Sequence, residues 1–258
     1  VRKYAYATDF STTVSATNLA SDNSDWVSSD SSNSEISSDR LNFTSDASED
    51  VMYYDLQNAN ALNGNNADDE KWVLRFTYNV TSKAHNNYHY IGLSSTTTDG
   101  GEDQDQISWF LRHPAASNDK SYGCHDIEDA APASVAEGNK NGFDGGTNYT
   151  YYFELARTSA TAYAIRKYTD SDYDTLDQSE ITGSCAATLN NLRYIKLTAH
   201  SSSNATYVFK FDNVKFWNGV TNAAEAEPDD SIVNAGTDGK STITNVPAGT
   251  RYEETDTR

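Results

Sequence analysis

A chain of 258 residues is long enough for one large β-sandwich with a small appendage. With 38 Asp and Glu against 19 Lys and Arg, the formal net charge is −19, which makes nucleic acid and anionic membranes poor partners. No apolar run is long enough for a membrane helix, and the apolar content leans on 17 Tyr and four Trp, as suits sheets with one dry and one wet side.

Helical periodicity is nearly absent, and short alternating segments recur between polar, turn-rich ones. Tyr4 to Phe10 alternates and ends at Asp9-Phe10-Ser11. Ser28 to Asp39 is too rich in Ser and Asp to bury anything and is expected to be a surface loop. Arg40 to Phe43 and Val51 to Leu56 read as strands. Trp72 to Tyr78 is the clearest one: Trp72, Leu74, Phe76 and Tyr78 share a core face, and Val73, Arg75 and Thr77 form a face able to meet solvent. Tyr88 to Ser94 and Ile107 to Arg112 follow, joined by an acidic loop from Thr96 to Gln106. Pro114 to Gly146 lacks alternation and is expected to be an irregular excursion. Strands resume at Tyr149 to Ala156, Ala162 to Tyr168, Gln178 to Gly183, Arg193 to Ala199 and Tyr207 to Trp217. The last run stumbles at Asp212-Asn213 and stops at Asn218-Gly219.

A dozen short strands with no intervening helix predict an all-β fold, an antiparallel β-sandwich of jelly-roll type. Met52-Tyr-Tyr-Asp-Leu56, Lys71-Trp-Val-Leu-Arg-Phe76, Tyr90-Ile-Gly-Leu-Ser94, Leu192-Arg-Tyr-Ile-Lys-Leu197 and Phe211-Asp-Asn-Val-Lys-Phe-Trp-Asn-Gly219 carry a resemblance. They are similar to successive strands of laminin-G-like and concanavalin A-like lectin/glucanase domains, familiar in surface, viral and archaeal extracellular proteins. The resemblance covers residues 1–220 and speaks to fold rather than activity. Residues 221–230 read as a linker, and 231–258 as a small C-terminal β extension built on one hairpin. That extension is similar to segments of virion and tail-fibre-associated proteins and is expected to be truncated. The chain opens on Val1 without a visible signal peptide, which predicts a removed leader or a fragment.

Two cysteines, Cys124 and Cys185, are expected to form one disulfide in an extracellular setting, the alternative being two buried thiols. Asn42, Asn79, Asn148 and Asn204 head Asn-x-Ser/Thr sequons, with Asn204 the best placed for glycosylation.

The fold invites a glycan-hydrolase reading. Laminarinase-type enzymes carry a Glu-x-Asp-x-(x)-Glu strand whose carboxylates share one face. Neither Glu102-Asp-Gln-Asp105 nor Asp126-Ile-Glu-Asp129 reproduces it, so the chain is expected not to be an enzyme. The five histidines form no catalytic constellation, and no zinc-binding cysteine pair is present. Asp170-Ser-Asp-Tyr-Asp174 opens like a calcium loop, but Thr175 and Ile181 replace the required Gly and Glu, which favours a hairpin turn. In some carbohydrate-binding jelly rolls the first and last strands lie together and hold a structural calcium; that resemblance points to Asp9 and Asp212, with a β-bulge as the alternative reading of the stumble. Tyr88, Tyr90, Trp109 and Tyr122 are the candidates for stacking on a sugar.

The expectation is a noncatalytic extracellular, cell-surface or virion module that recognises a glycan or cell-surface polymer, without membrane insertion. A structural subunit of a virion, fibre or appendage, able to self-assemble, is the alternative, and a laminarinase-type hydrolase stands third.

Overall fold

The computed structural model describes residues 6–8, 26–28, 34–37, 40–45, 50–57, 62, 65–80, 87–98, 105–113, 121–128, 131–137, 149–201 and 207–223. Fifteen strands follow one another among the described residues. The first five are β1 (Tyr6–Thr8), β2 (Trp26–Ser28), β3 (Ser34–Ser37), β4 (Arg40–Ser45) and β5 (Asp50–Asp55). Then come β6 (Trp72–Val80), β7 (Asn87–Ser94), β8 (Gln106–His113), β9 (Ser121–Glu128) and β10 (Ala131–Glu137). The last five are β11 (Tyr149–Ser159), β12 (Ala162–Tyr168), β13 (Ile181–Ser184), β14 (Tyr194–Ser201) and β15 (Tyr207–Asn218).

They form two antiparallel sheets, an all-β sandwich. One has the order β13-β12-β11-β6-β15-β4-β3, with β1 added on β15; the other has the order β10-β9-β8-β7-β14-β5-β2. First and last strands do lie together, Tyr6 opposite Phe216 and Thr8 opposite Val214. β15 slips register between Asp212 and Lys215, and Asn213 takes φ 49°, so the stumble is a β-bulge. Gly219 ends the strand at φ 74°, where a side chain would be strained, and its N–H is held by the Lys71 carbonyl at 2.8 Å.

The core lies between the sheets, and aromatic rings dominate it. Trp72, Leu74, Phe76 and Tyr78 of β6 are fully buried, as the alternation predicts. Their partners on the facing sheet include Trp109, whose ring lies 5.4 Å from Phe76 and 4.8 Å from Phe153. Tyr78 donates to or accepts from His89 Nδ1 at 2.9 Å, and His89 stacks on Phe209 with centroids 3.9 Å apart.

The other face of β6 departs from expectation, because Val73, Arg75 and Thr77 are buried too. Arg75, Glu154 and Arg166 are register neighbours on β6, β11 and β12. Arg75 Nε donates to Glu154 Oε2 at 2.7 Å, Arg166 donates to Glu154 Oε1, and Arg166 also reaches Glu180. The chain covers this row itself. Tyr173, on the β12–β13 connection, has its ring 4.5 Å from the Arg75 guanidinium, while Val220 and Ala223 pack with Val73, Ala156 and Trp217. The sandwich therefore continues past residue 220 into the segment read as linker. Periodicity cannot report this cover, since a loop and a C-terminal segment supply it.

Two further expectations change. Residues 34–37, read as loop, form edge strand β3, and the excursion contains β9 and β10. An edge strand needs backbone pairing more than apolar alternation, so Ser-rich sequence can adopt it. The 169–180 connection is a hairpin turn: the Asp170 carboxylate accepts the N–H groups of Asp172, Asp174 and Thr175 at 3.1 to 3.2 Å.

Cys124 and Cys185 are free buried thiols rather than a disulfide. Burial pushes the Cys124 thiol well up, with the Asp126 and Cys185 charges adding to it. Asn42 and Asn79 are buried, and their amides donate to the Arg40 carbonyl (3.1 Å) and Thr150 Oγ1 (3.2 Å), so neither sequon presents a free nitrogen for a glycan. Asn148, Asn204 and the extension at 231–258 lie outside the described residues.

Glu154→Ala leaves two arginines in a buried row without their carboxylate. The expected cost is about 3–5 kcal/mol in urea unfolding, whereas Glu180→Ala, at the solvent end, costs under about 1 kcal/mol. Backbone hydrogen bonds, led by the Asp174 N–H, hold the Asp170 carboxyl below its ordinary value. A depressed carboxylate stabilises the fold above its unfolded pKa and loses that contribution as pH falls through the folded one. Asp170→Ala should therefore lower Tm at pH 7, and the difference from the parent should close below about pH 4. A difference that persists at pH 2 would show that the turn does not use the charge.

Candidate functional site

Along β7, β8, β9 and β14, alternate residues such as Ile91, Ile107, Tyr122 and Ile195 enter the core. The remaining positions line up across the four strands on the outer face. The first row is Tyr194, Ser94, Gln106 and Ile127; the second is Lys196, Gly92, Ser108 and His125. The third is Thr198, Tyr90, Phe110 and Gly123, and the fourth row of register positions is His200, Tyr88, Arg112 and Ser121. On β5, Asp55, Tyr53 and Val51 extend the first three rows.

The rows differ in depth. Ser94, Gln106, Ser108, Lys196 and Thr198 are buried, while Tyr53, Tyr90, His125 and Tyr194 are half-buried around them. A polar floor thus sits among partly exposed rings. Gly92 keeps the floor flat, since a Cβ there would stand 2.0 Å from the Ile107 carbonyl oxygen and 2.5 Å from Ser108 Cα. Gln106 Nε2 donates to Ser108 Oγ within the floor. Lys196 Nζ donates to the Thr98 carbonyl at 2.9 Å, which holds Thr98, just after β7, against the floor.

Rings stand on two sides. The Tyr90 ring lies 5.6 Å from His125 and 6.3 Å from Phe110. Tyr53 meets Tyr194 edge-on at 5.6 Å, and the Arg193 guanidinium, paired with Asp55, lies 5.0 Å from the Tyr194 ring. A chain of amides continues from that end: Gln57 Nε2 donates to Asn66 Oδ1 at 3.0 Å, and Asn66 Nδ2 to Asn191 Oδ1 at 2.9 Å. Asp105 Oδ2 accepts the Asn190 N–H at 3.1 Å.

Two polar atoms of this face, His125 Nδ1 and Thr198 Oγ1, are buried without a hydrogen-bond partner among the described residues. Such atoms are uncommon in folded proteins and point to water or ligand. Burial lowers the His125 pKa, and the Asp126 charge opposes that shift less strongly. The imidazole is therefore neutral at pH 7, able to accept or donate a hydrogen bond.

The sequence-derived candidates divide. Tyr90 is a half-buried member of the face, and Tyr88 holds a register position on it. Trp109 and Tyr122 point the other way and are sealed in the core, so neither can stack on a bound sugar. The face also contains Tyr53, Tyr194, Lys196 and His125, none of them among those candidates. Strand parity carries the signal for Tyr194 and Lys196, since Ile195 and Leu197 beside them are core; His125 lies in the segment read as irregular.

Asp212 lies on the opposite sheet. Its Oδ1 accepts the Asn213 N–H at 2.7 Å, and its Oδ2 lies 3.8 Å from Arg40 Nε. A carboxylate facing a guanidinium and a bulge N–H is poorly set for a dication, and Asp9 lies outside the described residues. Among the described residues, no three His, Cys, Asp or Glu side chains gather as a metal site would need.

No family model and no curated protein matches the sequence. Similar solved structures are nevertheless numerous. The CBM2 module of the evolved Dit of Lactobacillus casei BL23 phage J-1 is similar at TM-score 0.55 and 13% identity, over 85% of this chain and 97% of that one. An alginate lyase Aly36B mutant in complex with alginate trisaccharide is similar at TM-score 0.54 and 12% identity, over 82% and 97%. The Ca2+/Man-bound exoplasmic/lumenal domain of VIP36 is similar at TM-score 0.54 and 7% identity, over 86% and 93%. The chain has the concanavalin-like jelly-roll fold common to these carbohydrate-binding and polysaccharide-degrading domains.

Proposed function

We propose that the protein is a noncatalytic glycan-recognition module of an extracellular, cell-surface or virion protein, and that the outer face of β14, β7, β8 and β9 is its binding face. The observation that carries the reading is the contrast between the two outer faces. One is closed by Tyr173, Val220 and Ala223 of the same chain, and the other combines a flat polar floor with half-exposed tyrosines. A pyranose has that pair of surfaces, apolar C–H faces that stack on rings and hydroxyls that pair with amide and hydroxyl groups. The floor and the rings supply both without moving the sheet.

A noncatalytic role fits the residue types better than hydrolysis does. Hydrolysis asks for two carboxyl groups flanking one bond. Beside the described face, Asp55 and Asp105 are engaged with Arg193 and with the Asn190 N–H, and Asp126 is buried on the core side of β9. No comparable observation favours the structural-subunit reading.

A glycan array followed by calorimetry on the retained sugars tests the proposal. Tyr90→Ala and Tyr53→Ala should each weaken binding about tenfold or more, the loss of about 1.4 kcal/mol, without a matching fall in Tm. Tyr173→Ala, on the closed face, should lower Tm and leave affinity unchanged. Retention of no glycan, or turnover of a bound one, would refute the reading.

A further inference from the structure

Among the described side chains of the binding face, every basic group is engaged or neutral. Lys196 is the one Lys or Arg in the first three rows across β14, β7, β8 and β9, and it is buried with Nζ on the Thr98 carbonyl. Arg193, at the edge, closes a fork on Asp55, with Nε donating to Oδ1 at 2.8 Å and Nη2 to Oδ2. Burial keeps His125 neutral at pH 7. An acid, by contrast, borders the first row. Asp105 precedes Gln106, its N–H donates to Ser95 Oγ and its carbonyl accepts the Ser95 N–H, each at 2.9 Å. From there back to Thr98 the sequence holds Asp99, Glu102 and Asp103 and neither Lys nor Arg.

The hydrogen-bonding capacity left over is uncharged. Tyr53, Tyr90 and Tyr194 are half-buried and carry phenol groups that donate and accept. His125 Nδ1 and Thr198 Oγ1 lack partners among the described residues. Tyr53 on β5 and Tyr90 on β7 are two strands apart, about 10 Å, so the rings can serve neighbouring sugars. A carboxylate or sulfate seated among these groups would lose hydration with no described cation to replace it, and that loss is costly. A hydroxyl loses far less and regains a hydrogen bond. From this distribution of groups we infer that the face selects a neutral glycan, one whose polar groups are hydroxyls, over its carboxylated or sulfated counterpart. The inference rests on the proposed binding face and adds to it the chemical class of the ligand.

The test uses the whole chain, unmodified, and matched pairs of oligosaccharides. Neutral β-glucan, mannan and galactan oligomers are each set against a counterpart of the same linkage and length, oxidised at C6 to the carboxylate or sulfated there. For whichever backbone is bound, the neutral member should bind about tenfold or more tightly than either charged one, a difference of about 1.4 kcal/mol. Raising NaCl from 0.1 to 0.5 M should leave the neutral affinity within about twofold, and any weak binding of the charged members should hold or strengthen as repulsion is screened. A charged member bound as tightly as its neutral counterpart, or more tightly, would overturn the inference and leave the binding face standing. So would neutral-glycan binding that falls severalfold with salt, since it would show that a charged contact carries the affinity. If no member of any pair binds, the inference falls together with the reading beneath it.

Discussion

Everything in this fold hangs on Trp109 crossing from one sheet into the other. Its ring enters among Phe76, Tyr78 and Phe153, at 5.4, 5.2 and 4.8 Å. Those partners belong to β6 and β11, the central strands of the eight-stranded sheet. Phe211 of β15 completes the group, 5.7 Å from Phe76. Removing one such ring from a packed core costs about 3–5 kcal/mol, a large part of a typical domain's stability. This seam also fixes parity. Once Trp109 and Phe76 face inward, a one-residue slip in either strand would expose the core, so every outward position is decided as well.

That outward consequence produces two very different backs. On β6 and β11, parity places Arg75 and Glu154 outside the core, where they would be ordinary solvated groups. The chain instead lays Tyr173, Trp217 and Val220 over them, so the charges are buried and must satisfy one another. On β7, β8, β9 and β14 the same parity produces Ser94, Ser108, Lys196 and Thr198 under a partial rim of rings. A sheet back that its own chain has capped offers a partner little. The one with a polar floor, and with His125 Nδ1 and Thr198 Oγ1 lacking described partners, remains able to gain hydrogen bonds on binding.

Most of the scaffold is legible in the sequence because it rests on period-two alternation, which a single strand displays by itself. Trp72 to Tyr78 and Tyr207 to Asn218 show it openly, down to the slip at Asp212 that is the bulge. The reading fails where another segment decides the environment. Val73 and Arg75 look like a wet face because nothing near them announces that Tyr173 and Val220 will return to cover it. Strand β9, Ser121 to Glu128, escapes notice for a different reason. It alternates Tyr122 and Cys124 with Gly123 and His125, a pattern weak in β-branched residues. The same blindness hides half of the proposed face: its composition is a property of rows across strands, and rows require register. Residue type alone picks Trp109 and Tyr122 as sugar-stacking rings, and parity sends both inward.

Net charge and local charge answer different questions here. The value of −19 describes the field far from the molecule, which repels polyanions at long range in dilute salt. At about 0.1 M salt the Debye length is about 10 Å, roughly two strand spacings. A ligand seated on β14, β7, β8 and β9 then feels mainly the residues of those rows, while most of the acidic surface is screened from it. Those rows hold no Asp or Glu, so the near field is set by polar groups such as Ser94, Gln106, Ser108 and the neutral His125, with Lys196 held against the Thr98 carbonyl. A strongly negative far field and a polar, nearly uncharged contact surface are therefore compatible, and the short-range groups of the rows, rather than the net charge, decide what the face can hold.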